Sequence, residues 1–127
     1  MTENLEKLEK LINSELSSKI HKSIIQNGEL MIDINDSDLL EVIQFIKSNE
    51  KCKFRQLIDI AGVDYPDEDK RFKLVYLLLS HENNSRIKIS IQFEINQVIN
   101  SITKIFPSAN WMEREVFDMY GIKFKNH

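Results

Sequence analysis

Ile87, Ile89, Ile91 and Phe93 alternate with Lys88, Ser90 and Gln92, and a period of two is the spacing of a strand with one face on a core and the other toward solvent. A chain carrying such a strand is constrained to build a sheet covered on one face. Two further segments join it. Phe72 to Leu79 is a strongly apolar run that suits a strand covered on at least one face, and Leu57 to Val63 leads into it through an acidic loop containing Pro66. Upstream, Asn27-Gly28 separates the stretch around Ile24 and Ile25 from the alternating Leu30, Ile32 and Ile34, which is the signature of a two-residue hairpin and an antiparallel pair.

Helical spacing accounts for most of the remaining chain. Thr2 is placed to cap a first helix whose Leu5, Leu8, Ile12 and Leu16 form an apolar stripe. Asn35-Asp36-Ser37-Asp38 opens a second helix with Leu39, Val42, Ile43 and Ile46 inward, closed by the polar run from Ser48 to Lys51. The segment from Asn96 to Phe106 fits no single pattern, but Ile102, Ile105 and Phe106 are expected to dock it on the core. A short last helix follows, with Asn110 and Glu113 in capping-box spacing and Gly121 as the left-handed residue that ends it. Within it, Met112, Val116, Met119 and Tyr120 share one face, Glu113 and Phe117 form an adjacent pair, and Glu115 and Asp118 lie outside near Arg114. The expected fold is α+β: a two-layer domain with a mixed, mostly antiparallel sheet of about five strands and helices on one face. Its order is helix, two strands, helix, three strands, helix, in a single domain over 1–127, and a helical crossover permits one parallel pair.

Composition excludes several functions. With 42% hydrophobic and 29% charged residues the chain is globular rather than disordered. A net charge of −3 gives no electrostatic basis for nucleic acid, and Lys7, Lys10, Lys19 and Lys22, interspersed with acids, read as solvated faces. The single Cys52 forms no intrachain disulfide and holds no iron–sulfur cluster, so a buried, idle thiol is expected. Glycines stand apart at 28, 62 and 121, so neither a dinucleotide fingerprint nor a phosphate loop is present. Ser80, His81 and Asp64 could be assembled into a triad only by ignoring their turn chemistry. His21, His81 and His127 are scattered, without metal spacing. No apolar run approaches the roughly 20 residues of a membrane-spanning helix and no secretory signal precedes the first helix, so membrane contact is expected only through partners.

Chemistry concentrates between Trp111 and Phe124. Glu113, Glu115 and Asp118 without a nearby His or Cys make a poor transition-metal site, and a capped helix with an ion-paired face explains them better than acid–base catalysis. Trp111 and Phe117 are expected in the core, whereas Arg114, Glu115, Tyr120 and Phe124 are candidates for an interface. Asp64 and Tyr65 are further interface candidates, although Asp64-Tyr65-Pro66 also reads as a rigid turn.

These residues carry a resemblance. Glu113-Arg114-Glu115, two variable residues, Asp118, the apolar Met119-Tyr120 and, after six more, His127 closely resemble the signature of the 30 kDa subunit family of proton-pumping NADH:quinone oxidoreductase, respiratory complex I. Leu57 to Pro66, Arg71 to Ser80 and Phe106 to Trp111 resemble the same family in the same order. The family pattern continues past the His into a Pro and an Arg-rich run, so the chain reads as cut within its C-terminal signature. The resemblance implies a non-catalytic structural subunit of the peripheral arm, at the cytoplasmic face of the bacterial inner membrane. The whole assembly would pass electrons from NADH through FMN and iron–sulfur centres to quinone, coupled to proton translocation. It implies no cofactor in this chain, with FMN and clusters in partner subunits, and no activity in isolation. The implied partners are the quinone-reducing subunit, which is homologous to the hydrogenase large chain, and the iron–sulfur subunits. Asp64, Tyr65, Trp111, Glu113, Arg114, Glu115, Phe117, Asp118, Tyr120, Phe124 and His127 are the signature and interface candidates. The alternatives are the equivalent subunit of a membrane-bound hydrogenase-type complex, a free-standing adaptor that docks through the last helix, and an enzyme built on Glu113 and Glu115.

Overall fold

A computed structural model describes residues 2–127, and of residue 2 the backbone only, so a cap by the Thr2 side chain lies outside the described residues. Helix α1 (Thr2–Glu15) leads into β1 (Ile20–Gln26) and β2 (Glu29–Ile34), followed by α2 (Leu39–Ser48), β3 (Gln56–Asp64), β4 (Phe72–Ser80) and β5 (Ser85–Phe93). A two-residue strand β6 (Ile99–Asn100), helix α3 (Ala109–Tyr120) and a second two-residue strand β7 (Phe124–Lys125) complete the chain. The expected α+β order is therefore present, with one addition, the small parallel pair of β6 and β7.

Strands β1 to β5 form one sheet in the order β1-β2-β5-β4-β3. All neighbours are antiparallel except β2 and β5, which run parallel in register from Leu30 opposite Ile87 to Ile34 opposite Ile91. The alternating strand from Ile87 to Phe93 is thus the central one. Leu30, Ile32 and Ile34 of β2, Ile87, Ile89 and Ile91 of β5, and Leu74, Tyr76 and Leu78 of β4 are all buried and share one face of the sheet. The opposite face carries half-buried Val75 and Leu77 beside polar pairs, Lys88 with Glu29 at 3.2 Å and Ser90 with Asp33.

The helices cover the buried face. Leu5, Leu8, Ile12 and Leu16 are all buried, as the stripe requires, and α1 is tied to β1 where Ser23 donates to Glu9 at 2.7 Å and accepts from Asn13 at 3.2 Å. Leu39, Val42, Ile43 and Ile46 put α2 on the same core. The hairpin at Asn27 and Gly28 has positive φ at both residues, 54° and 76°, the two left-handed positions that a type I′ turn demands. Cys52 is buried, and burial pushes its thiol up to about 11, so it remains protonated and unreactive at neutral pH.

Helix α3 packs over the edge strand β3. The Tyr120 hydroxyl donates to the Gly62 carbonyl at 2.9 Å, and the Tyr120 ring stands edge-on to Phe72 with centroids 6.2 Å apart. Such close approach requires glycine: a Cβ at position 62 would lie 2.5 Å from Tyr120 Cε2. Gly62→Ala is therefore expected to lower stability by roughly 1–3 kcal/mol. Thermal unfolding of Gly62→Ala, Tyr120→Ala and the double variant checks the cause, since the double variant should lose less than the two single losses combined.

Candidate functional site

The last helix begins two residues earlier than its sequence pattern suggests, and without a side-chain cap. Ser108, before Ala109, already has helical angles (φ −61°, ψ −19°), and Asn110 lies inside the helix. The expected capping box is thus absent, because Glu113 has a stronger use elsewhere. Its side chain is fully buried, with Oε1 accepting from the Ser101 hydroxyl at 2.7 Å and Oε2 accepting from the Ile102 amide at 2.8 Å. Since the Ser101 proton points to Glu113, the Thr103 hydroxyl, 2.8 Å from Ser101 Oγ, is the donor in their contact. A carboxylate that would be costly to bury alone is held by charge-assisted bonds.

Burial raises the Glu113 carboxyl above its ordinary 4.5, the Ser101 and Ile102 donors oppose that rise, and His127 opposes it further. Beneath, the Tyr76 hydroxyl is buried without a hydrogen-bond partner among the described residues. Burial and the nearby Glu113 charge keep its phenol well above 10. At the helix end, Gly121 takes the left-handed conformation (φ 73°) and its amide donates to Phe117 O at 2.7 Å, as expected. The chain then returns: the Ile99 amide donates to Lys123 O at 3.0 Å and the Ser101 amide to Lys125 O at 2.9 Å, forming the β6–β7 pair. His127 Nε2 lies 3.0 Å from the Asn110 carbonyl, which only accepts, so Nε2 carries a proton.

This return leaves an open cleft of about 550 Å³ lined by Glu113, Arg114, Phe117, Lys123, Phe124 and His127. Five of the signature candidates meet there. Tyr120 does not line it and belongs to the contact with β3. Trp111 and Phe117 are not core residues: Trp111 is 68% exposed and Phe117 47%, while Met119, expected inward, is 73% exposed. Tyr120 and Phe124, by contrast, are partly buried against the core, with Phe124 also lining the cleft. Helix α3 sits at the sheet edge and buries only Ala109, Glu113 and Val116, so much of its circumference faces outward. Glu115 and Asp118 are exposed near Arg114, yet no ion pair forms among them within the described residues. Asp64 is engaged at the turn: Arg71 Nε and Nη2 donate to its two oxygens at 2.7 and 3.0 Å, holding the carboxyl below its usual range, and the Tyr65 amide donates to Arg71 O at 2.7 Å. Sequence reasoning missed Ser101, whose position carries no local signal, and it passed over Gly62, whose place inside a strand pattern is itself a sign of close approach.

Glu113→Gln retains the shape but presents an amide NH2 where one of two donors now points, and a cost of about 1–3 kcal/mol is expected. The pH dependence has a definite sign. With the folded-state carboxyl above its unfolded value, the native state holds the proton more tightly, so this group's contribution falls as pH rises from about 4.5 through the raised value, then levels off. The stability difference between wild type and Glu113→Gln, followed by thermal melts across that window, is expected to shrink as pH rises.

The chain is 37% identical over 127 residues to a protein from Mesorhizobium japonicum named as the C subunit of NADH-quinone oxidoreductase, covering 100% of this chain and 63% of that one. It is 46% identical over 100 residues to the protein of the same name from Ruegeria pomeroyi, covering 79% of this chain and 50% of the relative. The chain spans about half to three-fifths of the length of these curated relatives. Its fold is also that of a chain in the membrane-bound sulfane sulfur reductase, an archaeal respiratory membrane complex, with a TM-score of 0.84 at 20% identity over 96% of this chain and 71% of that one. Residues 32–127, which include the second half of β2, all of β3 to β5, Glu113 with its partners and the whole cleft, match the family described as respiratory-chain NADH dehydrogenase, 30 Kd subunit, and the chain belongs to that family.

Proposed function

We propose that this chain is a structural subunit of a proton-translocating NADH:quinone oxidoreductase, serving in its peripheral arm rather than carrying out its chemistry. Similarity along the whole chain to a protein named as a part of NADH-quinone oxidoreductase supports the assembly, and the outward face of α3 supports the role. Trp111, Phe117 and Met119 expose large apolar surface on one helix, the composition that anchors protein interfaces. Glu113, the buried carboxylate of the signature, is occupied in holding α3 to the Ser101 turn, which leaves the helix surface for recognition.

In this reading NADH, FMN, iron–sulfur centres and quinone are handled by partner subunits, and the nearest partner is the quinone-reducing one, the homologue of the hydrogenase large chain. No helix among the described residues is long and apolar enough to cross a membrane, and attachment at the cytoplasmic face of a bacterial inner membrane runs through those partners. A rigid β-sheet backing a short, exposed aromatic helix suits a part that fixes the relative positions of electron carriers, because their function depends on held geometry.

Co-expression with the candidate quinone-reducing partner, read by native mass spectrometry, is expected to give a one-to-one complex. Trp111→Ala/Met119→Ala should weaken it by roughly tenfold or more while leaving the thermal melt of the free chain nearly unchanged. The purified chain is expected to show no NADH oxidation. Sustained turnover by the chain alone, or equal binding by the double variant, contradicts this assignment.

A further inference from the structure

We propose that the cleft between α3 and the β7 segment receives a carboxylate-bearing segment of a partner polypeptide, with Arg114 and Lys123 pairing the carboxylate and Phe117 and Phe124 covering an adjacent apolar side chain. The proposal rests on the reading of the chain as one part of an assembly and names the chemistry that this face selects. Charge is its first support. The chain is acidic overall, at −3, yet the cleft brings Arg114, Lys123 and His127 together around one carboxylate.

That carboxylate does not cancel them. Both Glu113 oxygens accept hydrogen bonds from donors in the Ser101–Ile102 turn, and neither Arg114 nor Lys123 forms an ion pair among the described residues. Their side chains are exposed, so the arginine fork is available for bidentate pairing. His127 lines the cleft and spends Nε2 on the Asn110 carbonyl. Phe117 is 47% exposed and Phe124 partly buried, and together they offer apolar walls next to the cations. Two cations beside two aromatic rings fit an acidic residue flanked by an apolar one. They do not form the extended basic track that a nucleic-acid backbone requires.

The test is a titration of the isotopically labelled chain, followed by NMR, with the peptide acetyl-Leu-Asp-Glu-Phe-amide and with its Asn-Gln counterpart. Saturable shifts are expected at Arg114, Phe117, Lys123 and Phe124. Binding should weaken roughly threefold to tenfold for the neutral peptide and for Arg114→Ala/Lys123→Ala. That variant changes two exposed side chains, and its own spectrum verifies the fold. Equal affinity for the neutral peptide, shifts that map outside the cleft, or tighter binding of a ten-residue oligothymidylate at the same residues would overturn the proposal. Because the titration needs no partner chain, its failure leaves the co-expression result standing, and a failed co-expression with a positive titration removes only the assignment to complex I.

Discussion

The far end of the molecule hangs on one buried carboxylate. Glu113 projects from α3 into the turn that follows β6 and is met there by a hydroxyl and a backbone amide. Each charge-assisted bond is worth about 1.5–3 kcal/mol once the group is shielded from water. The link fixes more than a helix. The Ser101 amide also donates to Lys125 O, so the residue that holds Glu113 simultaneously registers β7. Helix, turn and returning strand are therefore positioned together, and the cleft exists because of that arrangement. Tyr120 secures the opposite end of α3 to the Gly62 carbonyl, leaving little freedom for the helix to tilt over the sheet.

The sheet was legible in the sequence because its determinants are local. Alternation from Ile87 to Phe93 dictates which side of β5 faces the core, and Asn27-Gly28 dictates a hairpin whatever surrounds it. The three helical stripes were legible to different degrees for a physical reason. Helices α1 and α2 lie against the sheet interior and present the broad apolar faces that periodicity detects. Helix α3 covers an edge, needs only a narrow inward strip, and carries apolar residues on its outer side as well, so sequence pattern places Met119 and Trp111 inside when they face out. Glu113 illustrates a second limit. A Glu three residues after an Asn satisfies the local rule for a capping box, whereas its actual partners lie 11 and 12 residues upstream, where only the folded chain brings them close. The signature was visible as a motif, but its division into a structural carboxylate and exposed cations was not.

That division explains how a charged motif can serve an assembly without itself being reactive. Glu113 supports the fold from within, while its neighbours Arg114 and Glu115 point outward on the adjacent helical positions. Asp64 follows the same economy at the C-terminal end of β3, locked by both guanidinium contacts of Arg71, whose charge also sits 5.5 Å from the Phe72 ring. Charges of the family signature thus divide between those that close turns and those that meet solvent. Only the second group is free to recognise another surface.

The parallel seam at the centre of the sheet has a consequence for how the chain acquires its structure. Asp33 and Ser90, which bond across the open face of that seam, are 57 residues apart, whereas β1 with β2, β3 with β4, and β4 with β5 each close through a short connection. Two antiparallel blocks can form from nearby contacts, but uniting them requires closing the long loop that contains α2. Docking of β2 on β5 thus carries the largest loop-closure cost among the sheet's pairings, and until it occurs each of these strands has one unpaired edge. During synthesis the β1–β2 hairpin emerges first and its β2 edge has no partner until β5 follows, and an open strand edge is a template for pairing with other chains.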